Sequence, residues 1–237
     1  MRPAAGLLLL ALVFGGCENN IERSAHLAKL AHHQHHLQAG LSITHASTDV
    51  KVVKTAVVHS SEGSAAVVMV RNISPHTLVN VPIAITVKDA SGRTLFQNNA
   101  RGLEARLVSI SSLPAHTEAT WIDDQVQLSG TPTDVSAIVG EAPVANGPVP
   151  TIEVQGVHPT EEGGSPGAAG TVRNRSGVAQ QSLVVDVLAL RGGSIVAAGR
   201  SVLPEVAAGA SVPFQTFLVG APEGAKLEAS AVPSSLG

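Results

Sequence analysis

The chain has 237 residues, with 15 Lys and Arg against 18 Asp and Glu, ten His, one Cys, one Trp, four Phe and no Tyr. A net charge of −3 is no electrostatic footprint for nucleic acid, and so few rings leave no platform on which bases or sugars could stack. The length allows one large or two small domains, whose cores must be built from Val, Leu, Ile and Ala, and a single cysteine cannot staple them with an intrachain disulfide.

Residues 1–16 carry a positive charge at Arg2, an apolar run from Leu7 to Phe14, and Gly15-Gly16 directly before Cys17. This is the layout of a secretory signal, and the run is too short to span a bilayer, which takes roughly 20 apolar residues. A lone cysteine at this place resembles the bacterial lipobox, with Phe14 standing where such boxes usually carry Leu. The resemblance implies cleavage before Cys17, acylation of its sulfur, and a lipid anchor that holds the protein at the cell membrane or outer membrane, outside the cytoplasm. Removal of residues 1–16 deletes Arg2 and no acid, leaving 14 basic against 18 acidic residues.

From Glu18 to about Gly40 the residues Ile21, Leu27, Leu30 and Leu37 fall near a helical period, and Gly40 is a plausible stop. Residues 17–48 are therefore expected to form the lipidated N-terminus and a His-rich stalk, partly helical. The cluster comprises His26, His32, His33, His35, His36 and His45. On a helix His32 and His36 stand at i,i+4 and His33 and His36 at i,i+3, spacings that place two imidazoles on one Zn, Cu or Ni ion. His32, His33, His35 and His36 are thus candidate metal ligands. With Cys17 acylated and Glu22 the nearest carboxylate, any zinc site there is expected to be weak. The competing reading is a polar stalk that turns cationic as its imidazoles protonate near pH 6.5 and is then drawn to anionic head groups. No other cofactor is expected.

From Asp49 onward the pattern changes to short β-rich runs: 50–59, 65–71, 79–88, 93–97, 103–110, 118–128 and 133–139. Val79, Val81, Ile83, Ile85 and Val87 alternate cleanly. Residues 141–150 interrupt the pattern with Pro143, Pro148 and Pro150, which favour an extended, semi-rigid linker. A second set follows at 151–158, 168–173, 182–190, 194–202, 211–219 and 226–232.

The halves repeat one another. Val70-Arg71-Asn72-Ile73-Ser74 matches Val172-Arg173-Asn174-Arg175-Ser176; the stretch Leu113–Trp121 matches Val206–Phe214, pairing Trp121 with Phe214; and Gly130-Thr131-Pro132 matches Gly220-Ala221-Pro222, with Val135, Ala137 and Val139 set against Ala225, Leu227 and Ala229. Strand and turn order repeated at domain length predicts two copies of one module, over 49–140 and 151–237. Six or seven short strands per copy predict an all-β fold of two tandem immunoglobulin-like antiparallel β-sandwiches.

The Val-Arg-Asn-x-Ser segment, the long alternating strand ending at Val87-Lys88-Asp89-Ala90-Ser91-Gly92, and the Leu113-Pro114-Ala115 turn before an aromatic strand resemble the FxLYD-type immunoglobulin-like domain of bacterial envelope proteins. Ile85-Thr86-Val87-Lys88-Asp89 occupies the place of the naming motif and keeps its alternation and its acid; in the second copy Val187-Leu188-Ala189-Leu190-Arg191 takes that place without the acid. The resemblance spans about residues 50–140 and 150–233. It implies architecture and an envelope setting and brings no catalytic residues.

Gly163-Gly164-Ser165-Pro166-Gly167 matches the G-x-S-x-G of hydrolase nucleophile elbows, but Pro166 has no N–H to supply to an oxyanion hole. Adjacent acids on a strand face opposite ways, so Asp123 and Asp124 cannot act as a pair on one substrate, and both they and Glu161-Glu162 are read as solvated turn charges. Asn72-Ile73-Ser74 and Asn174-Arg175-Ser176 fit the glycosylation sequon, yet their equivalent places in two copies suggest that Asn and Ser close a turn. The expectation is a non-enzymatic, membrane-anchored envelope lipoprotein, a binding or spacer module for an unidentified envelope protein partner, with no nucleic-acid partner. A metal-binding or metal-sensing lipoprotein using the His26–His45 cluster is the alternative.

Overall fold

In the computed structural model, which describes Gly40–Gly237, the alternating segment becomes the central strand of a sheet. This is β3 (Leu78–Lys88), whose Val81, Ile83, Ile85 and Val87 are buried while the residues between them are partly exposed. The preceding strands are β1 (Val50–Ser60) and β2 (Gly63–Asn72); those that follow are β4 (Thr94–Gln97), β5 (Ser109–Leu113), β6 (Glu118–Val126) and β7 (Asp134–Val139). All pairings are antiparallel. One sheet runs β1-β2-β6; the other has β3 flanked by β7 on one edge and by β4 and β5 in succession on the other. Between them lies a core of Val50, Val68, Val70, Ile83, Ile85, Leu113, Trp121 and their neighbours.

The second half holds β8 (Ile152–Glu162), β9 (Ser165–Asn174), β10 (Gln180–Arg191), β11 (Ser194–Val206), β12 (Ser211–Phe217), β13 (Val219–Gly220) and β14 (Lys226–Ser230). Its sheets are β8-β9-β12 and β14-β10-β11-β13, enclosing Ala168, Val172, Leu183, Val185, Val187, Leu203 and Phe214. The fold is all-β, built of antiparallel sheets packed in sandwiches. Two corresponding left-handed residues mark the repeat: Asn80 (φ 50°) interrupts the β3–β5 ladder, and Ser182 (φ 50°) interrupts the β10–β11 ladder.

The Val-Arg-Asn-x-Ser segments form one buried knot, made twice. The Asn72 Nδ2 donates to the carbonyls of His76 (2.7 Å), Leu113 (2.9 Å) and Pro114 (3.1 Å), while its Oδ1 accepts the Ser74 N–H (2.9 Å) and hydroxyl (2.8 Å). The Asn174 Nδ2 donates to the carbonyls of Val178 (2.8 Å), Val206 (3.2 Å) and Ala207 (3.2 Å), and its Oδ1 takes the Ser176 N–H (3.0 Å) and hydroxyl (2.7 Å). Both side chains are wholly buried. An Nδ2 saturated in this way has no room for a sugar, so the sequon match reflects turn chemistry.

Opposite Trp121 stands Val68, whereas Phe214 faces Gly170. A Cβ at Gly170 would lie 2.7 Å from the Phe214 ring, so the smaller aromatic lies directly over bare backbone. In the last strand of each copy the pairing revises the sequence alignment by two residues. Ala137 lies opposite Ile85 and Ala229 opposite Val187, the equivalent position, so Ala137 corresponds to Ala229 rather than Leu227. A slip of two keeps the same residues facing inward, which is why apolar spacing could not reveal it.

The expected strand over 103–110 is instead a 3₁₀ turn at Ala105–Leu107 followed by β5. Here Asn98 stands in for missing strand backbone: its Oδ1 accepts the Ile85 N–H (2.8 Å), and its Nδ2 donates to the carbonyls of Ile83 (2.8 Å) and Leu107 (2.9 Å). In the second copy the same span is the single continuous strand β11. The proline-containing segment after β7 is also not free of the sheet. The Val79 N–H donates to the Pro143 carbonyl (2.9 Å) and the Ala145 N–H to the Thr77 carbonyl (2.8 Å), so this stretch extends β3's edge where proline need only accept. Upstream, Ala46 bridges Gly140, so sheet contact begins before Asp49.

Replacing Asn72 or Asn174 by Ala removes every bond of a wholly buried carboxamide, to three carbonyls and to the Ser N–H and hydroxyl, and is expected to cost at least about 3 kcal/mol in urea unfolding. Arg71→Ala, which removes only an exposed ion pair with Glu118, is expected to cost under about 1 kcal/mol.

Candidate functional site at the seam between the sheet pairs

Ala65–Val70 and Leu183–Leu190 are continuous apolar runs, broken only by Asp186. Continuous runs, unlike alternating ones, belong to strands buried on both faces. In β2, Ala66, Val68 and Val70 face the first core while Ala65 and Val67 join Val58, Ile122, Leu188 and Ala198 in a third buried cluster. In β10, Leu183, Val185 and Val187 face the second core while Leu188 belongs to the third. The β1-β2-β6 sheet therefore packs its outer face on that of the β10-β11-β13 sheet.

This seam gathers the charges. Asp186 lies on β10 directly across from Arg200 on β11. The Arg200 N–H donates to the Asp124 carboxylate (3.0 Å), and its guanidinium, only 3% exposed, reaches the Arg106 carbonyl and the Glu104 carboxylate, each at 3.5 Å. The Arg106 carbonyl also accepts the Trp121 Nε1–H (2.9 Å). The 3₁₀ turn peculiar to the first copy thus receives both that copy's core Trp and the second copy's Arg.

Asp123 and Asp124 are not the solvated charges that their position near a turn suggested. Both lie on β6, Asp123 buried and Asp124 half-buried at the seam, because β6 is covered on both faces. Burial pushes the Asp123 carboxyl up to about 6, opposed by the Gln125 N–H; burial also raises Asp124, opposed by the Arg200 N–H and charge. Asp186 is the extreme case. Burial lifts it to about 8, with Arg200 and the Ile122 N–H opposing and Asp124 adding to the rise. Its Oδ1 has no hydrogen-bond partner among the described residues.

Asp186 also lines a cleft of about 280 Å³ across the seam, with Met69, Glu118, Ala119, Thr120 and Leu188 among its walls and Glu228–Val232 along its side. A separate groove of about 480 Å³ lies at the end of the second sheet pair, between the β8–β9 hairpin and residues 222–227. Glu161 and Glu162 are exposed in that hairpin, as expected, and Ser165 opens β9 directly after Gly163 (φ 60°) and Gly164 (φ 85°), with no helix behind it. That is a hairpin turn and not a nucleophile elbow.

Cys17, His26, His32, His33, His35 and His36 lie outside the described residues. His45 is described: its Nδ1 sits 3.1 Å from the Thr44 hydroxyl. Among the described residues no three His, Cys, Asp or Glu groups are arranged to hold a metal ion. The seam cluster was missed in the sequence because its members come from residues 104–106, 123–124, 186 and 200; the one available signal was a lone acid inside the Leu183–Leu190 run.

No protein-family model and no curated protein matches this chain. Among solved structures it is similar to the exo-chitosanase CsxA of Amycolatopsis orientalis, at 12% identity and a TM-score of 0.29, covering 77% of this chain and 26% of that one. The chain thus spans about a quarter of that protein's length.

Arg200→Met removes the cation from among Asp124, Asp186 and Glu104 and is expected to cost on the order of 2–4 kcal/mol in urea unfolding. Arg106→Ala, which keeps the backbone carbonyl and removes a partly exposed ion pair with Glu104, is expected to cost under about 1 kcal/mol.

Proposed function

We propose that the protein is a membrane-anchored envelope lipoprotein in which two immunoglobulin-like modules, 49–140 and 151–237, serve as a non-catalytic binding or spacer unit. The observation that carries this reading is Cys17, the lone cysteine, placed directly after a signal-like segment. The anchor is the lipid on Cys17, and the partner is a protein of the same compartment. Support for a spacer role comes from how the described halves meet. Two short modules on a flexible joint would transmit little position from one end to the other, whereas here an apolar cluster, Arg200 and the C-terminal tail all tie them together. In the tail, the Ser112 hydroxyl donates to the Pro233 carbonyl (2.6 Å), and Gln180 takes the Ser234 N–H (2.8 Å). Sheet edges and loops then supply the surface for association.

Stable anchoring by lipid takes more than one acyl chain, and all of it depends on one sulfur. Cys17→Ser is expected to move the protein from the membrane pellet to the soluble exported fraction, measured by fractionation and by metabolic labelling with a fatty-acid probe. Membrane retention without label would remove the lipoprotein reading while leaving the fold untouched.

A further inference from the structure

We propose that the seam is a proton-operated latch: Asp186 holds the two sheet pairs together as a neutral carboxylic acid, and its ionisation loosens the seam without unfolding either pair. The argument begins with placement. Asp186 is 7% exposed, has an orphaned Oδ1, and stands where a β10 residue faces the opposing sheet pair instead of its own core. The equivalent position in the first copy, on a face that meets no second sheet pair among the described residues, is Ala84. An acid in that place serves no core; it answers only to the seam.

The charged groups around it do not neutralise it. Arg200, its cross-strand neighbour, spends its N–H on Asp124 and its guanidinium on Glu104 and the Arg106 carbonyl. On β6 the acids on the seam face are Asp124 and Glu118, the latter paired with Arg71, while Asp123, opposite Ala66, faces the first core; on β14 Glu228 is paired with Lys226. Ionisation of Asp186 therefore adds a charge to a group already rich in carboxylates, on a side chain whose Oδ1 finds no donor among the described residues. Moving the pairs apart hydrates that oxygen and keeps both cores closed. The sign follows from the proton balance. The docked state holds a proton on Asp186 up to about pH 8, whereas the opened state, with an ordinary carboxylate, has released it above about pH 4. Opening is thus favoured as pH rises through that window. Asp123, on the first-core face, is raised only to about 6 and so lies below the interval from pH 6.5 to 8 in which Asp186 is tested.

The test is amide hydrogen exchange of the folded protein at pH 6.5 and 8.0, corrected for intrinsic rates, with Arg200 and Ile122 as seam amides and Val68 and Val187 as core amides. Expected is a rise of about tenfold in the seam opening constant in the wild type, little change in the core amides, and loss of the pH effect in Asp186→Asn, which has the same shape and no titration. The latch is overturned if seam opening is independent of pH, if it changes as much in Asp186→Asn, or if core amides move in step with the seam. The wild-type comparison decides the matter even if the variant folds poorly.

Discussion

A fully buried side-chain amide, placed once in each half, is the constraint on which the rest of the structure depends. At Asn72 and Asn174 a strand of one sheet ends, a turn begins, and the chain must cross to the other sheet, so several carbonyls from different segments converge at one buried point. One carboxamide answers them all: two N–H bonds serve three carbonyls, and its oxygen orders the Ser that starts the turn. Asp would repel those carbonyls, and Ser is too short to span them. With this crossing fixed, Leu113 and Val206 are positioned, and with them the strands that carry Trp121 and Phe214 into the two cores.

From the same plan the two copies diverge where they meet. The outer face of β2 carries Ala65, Val67 and Met69, while the corresponding face of β9 carries Gly167, Ala169 and Thr171; across the seam Leu188 replaces the counterpart Thr86. The contact is head to tail, since the outer face of one sheet type meets the outer face of the other. Such contacts extend indefinitely unless the ends differ. Polar and small residues on the outer face of β9 provide that end.

The seam combines a strong apolar contact with an awkward polar one. Val58, Val67, Ile122, Leu188 and Ala198 exclude water, which is what raises the cost of each carboxylate placed among them. Arg200 offsets part of that cost by bonding both to β6 and to the 3₁₀ turn that only the first copy possesses. Stability and pH response at this contact therefore have one origin, the removal of water from a surface that keeps Asp124 and Asp186.

The strand order, the turns and the repeat were legible from residue order, because alternation, Gly and Pro placement and the Asn-x-Ser turns are local properties of the chain. The all-β sandwich class followed from them. Strand 103–110 failed because Asn98, a residue with no strand propensity, pairs with β3 through its side chain, and only the placement of β3 makes that possible. The two-residue slip in β14 was invisible because inward and outward faces are preserved. The apolar runs in β2 and β10 announced burial on both faces, yet a run does not say what covers it. That Glu104, Asp124, Asp186 and Arg200 share one seam was decided by tertiary structure alone, since the contacts join residues up to 96 positions apart and the carboxyl shifts arise from dehydration that no single segment can impose on itself.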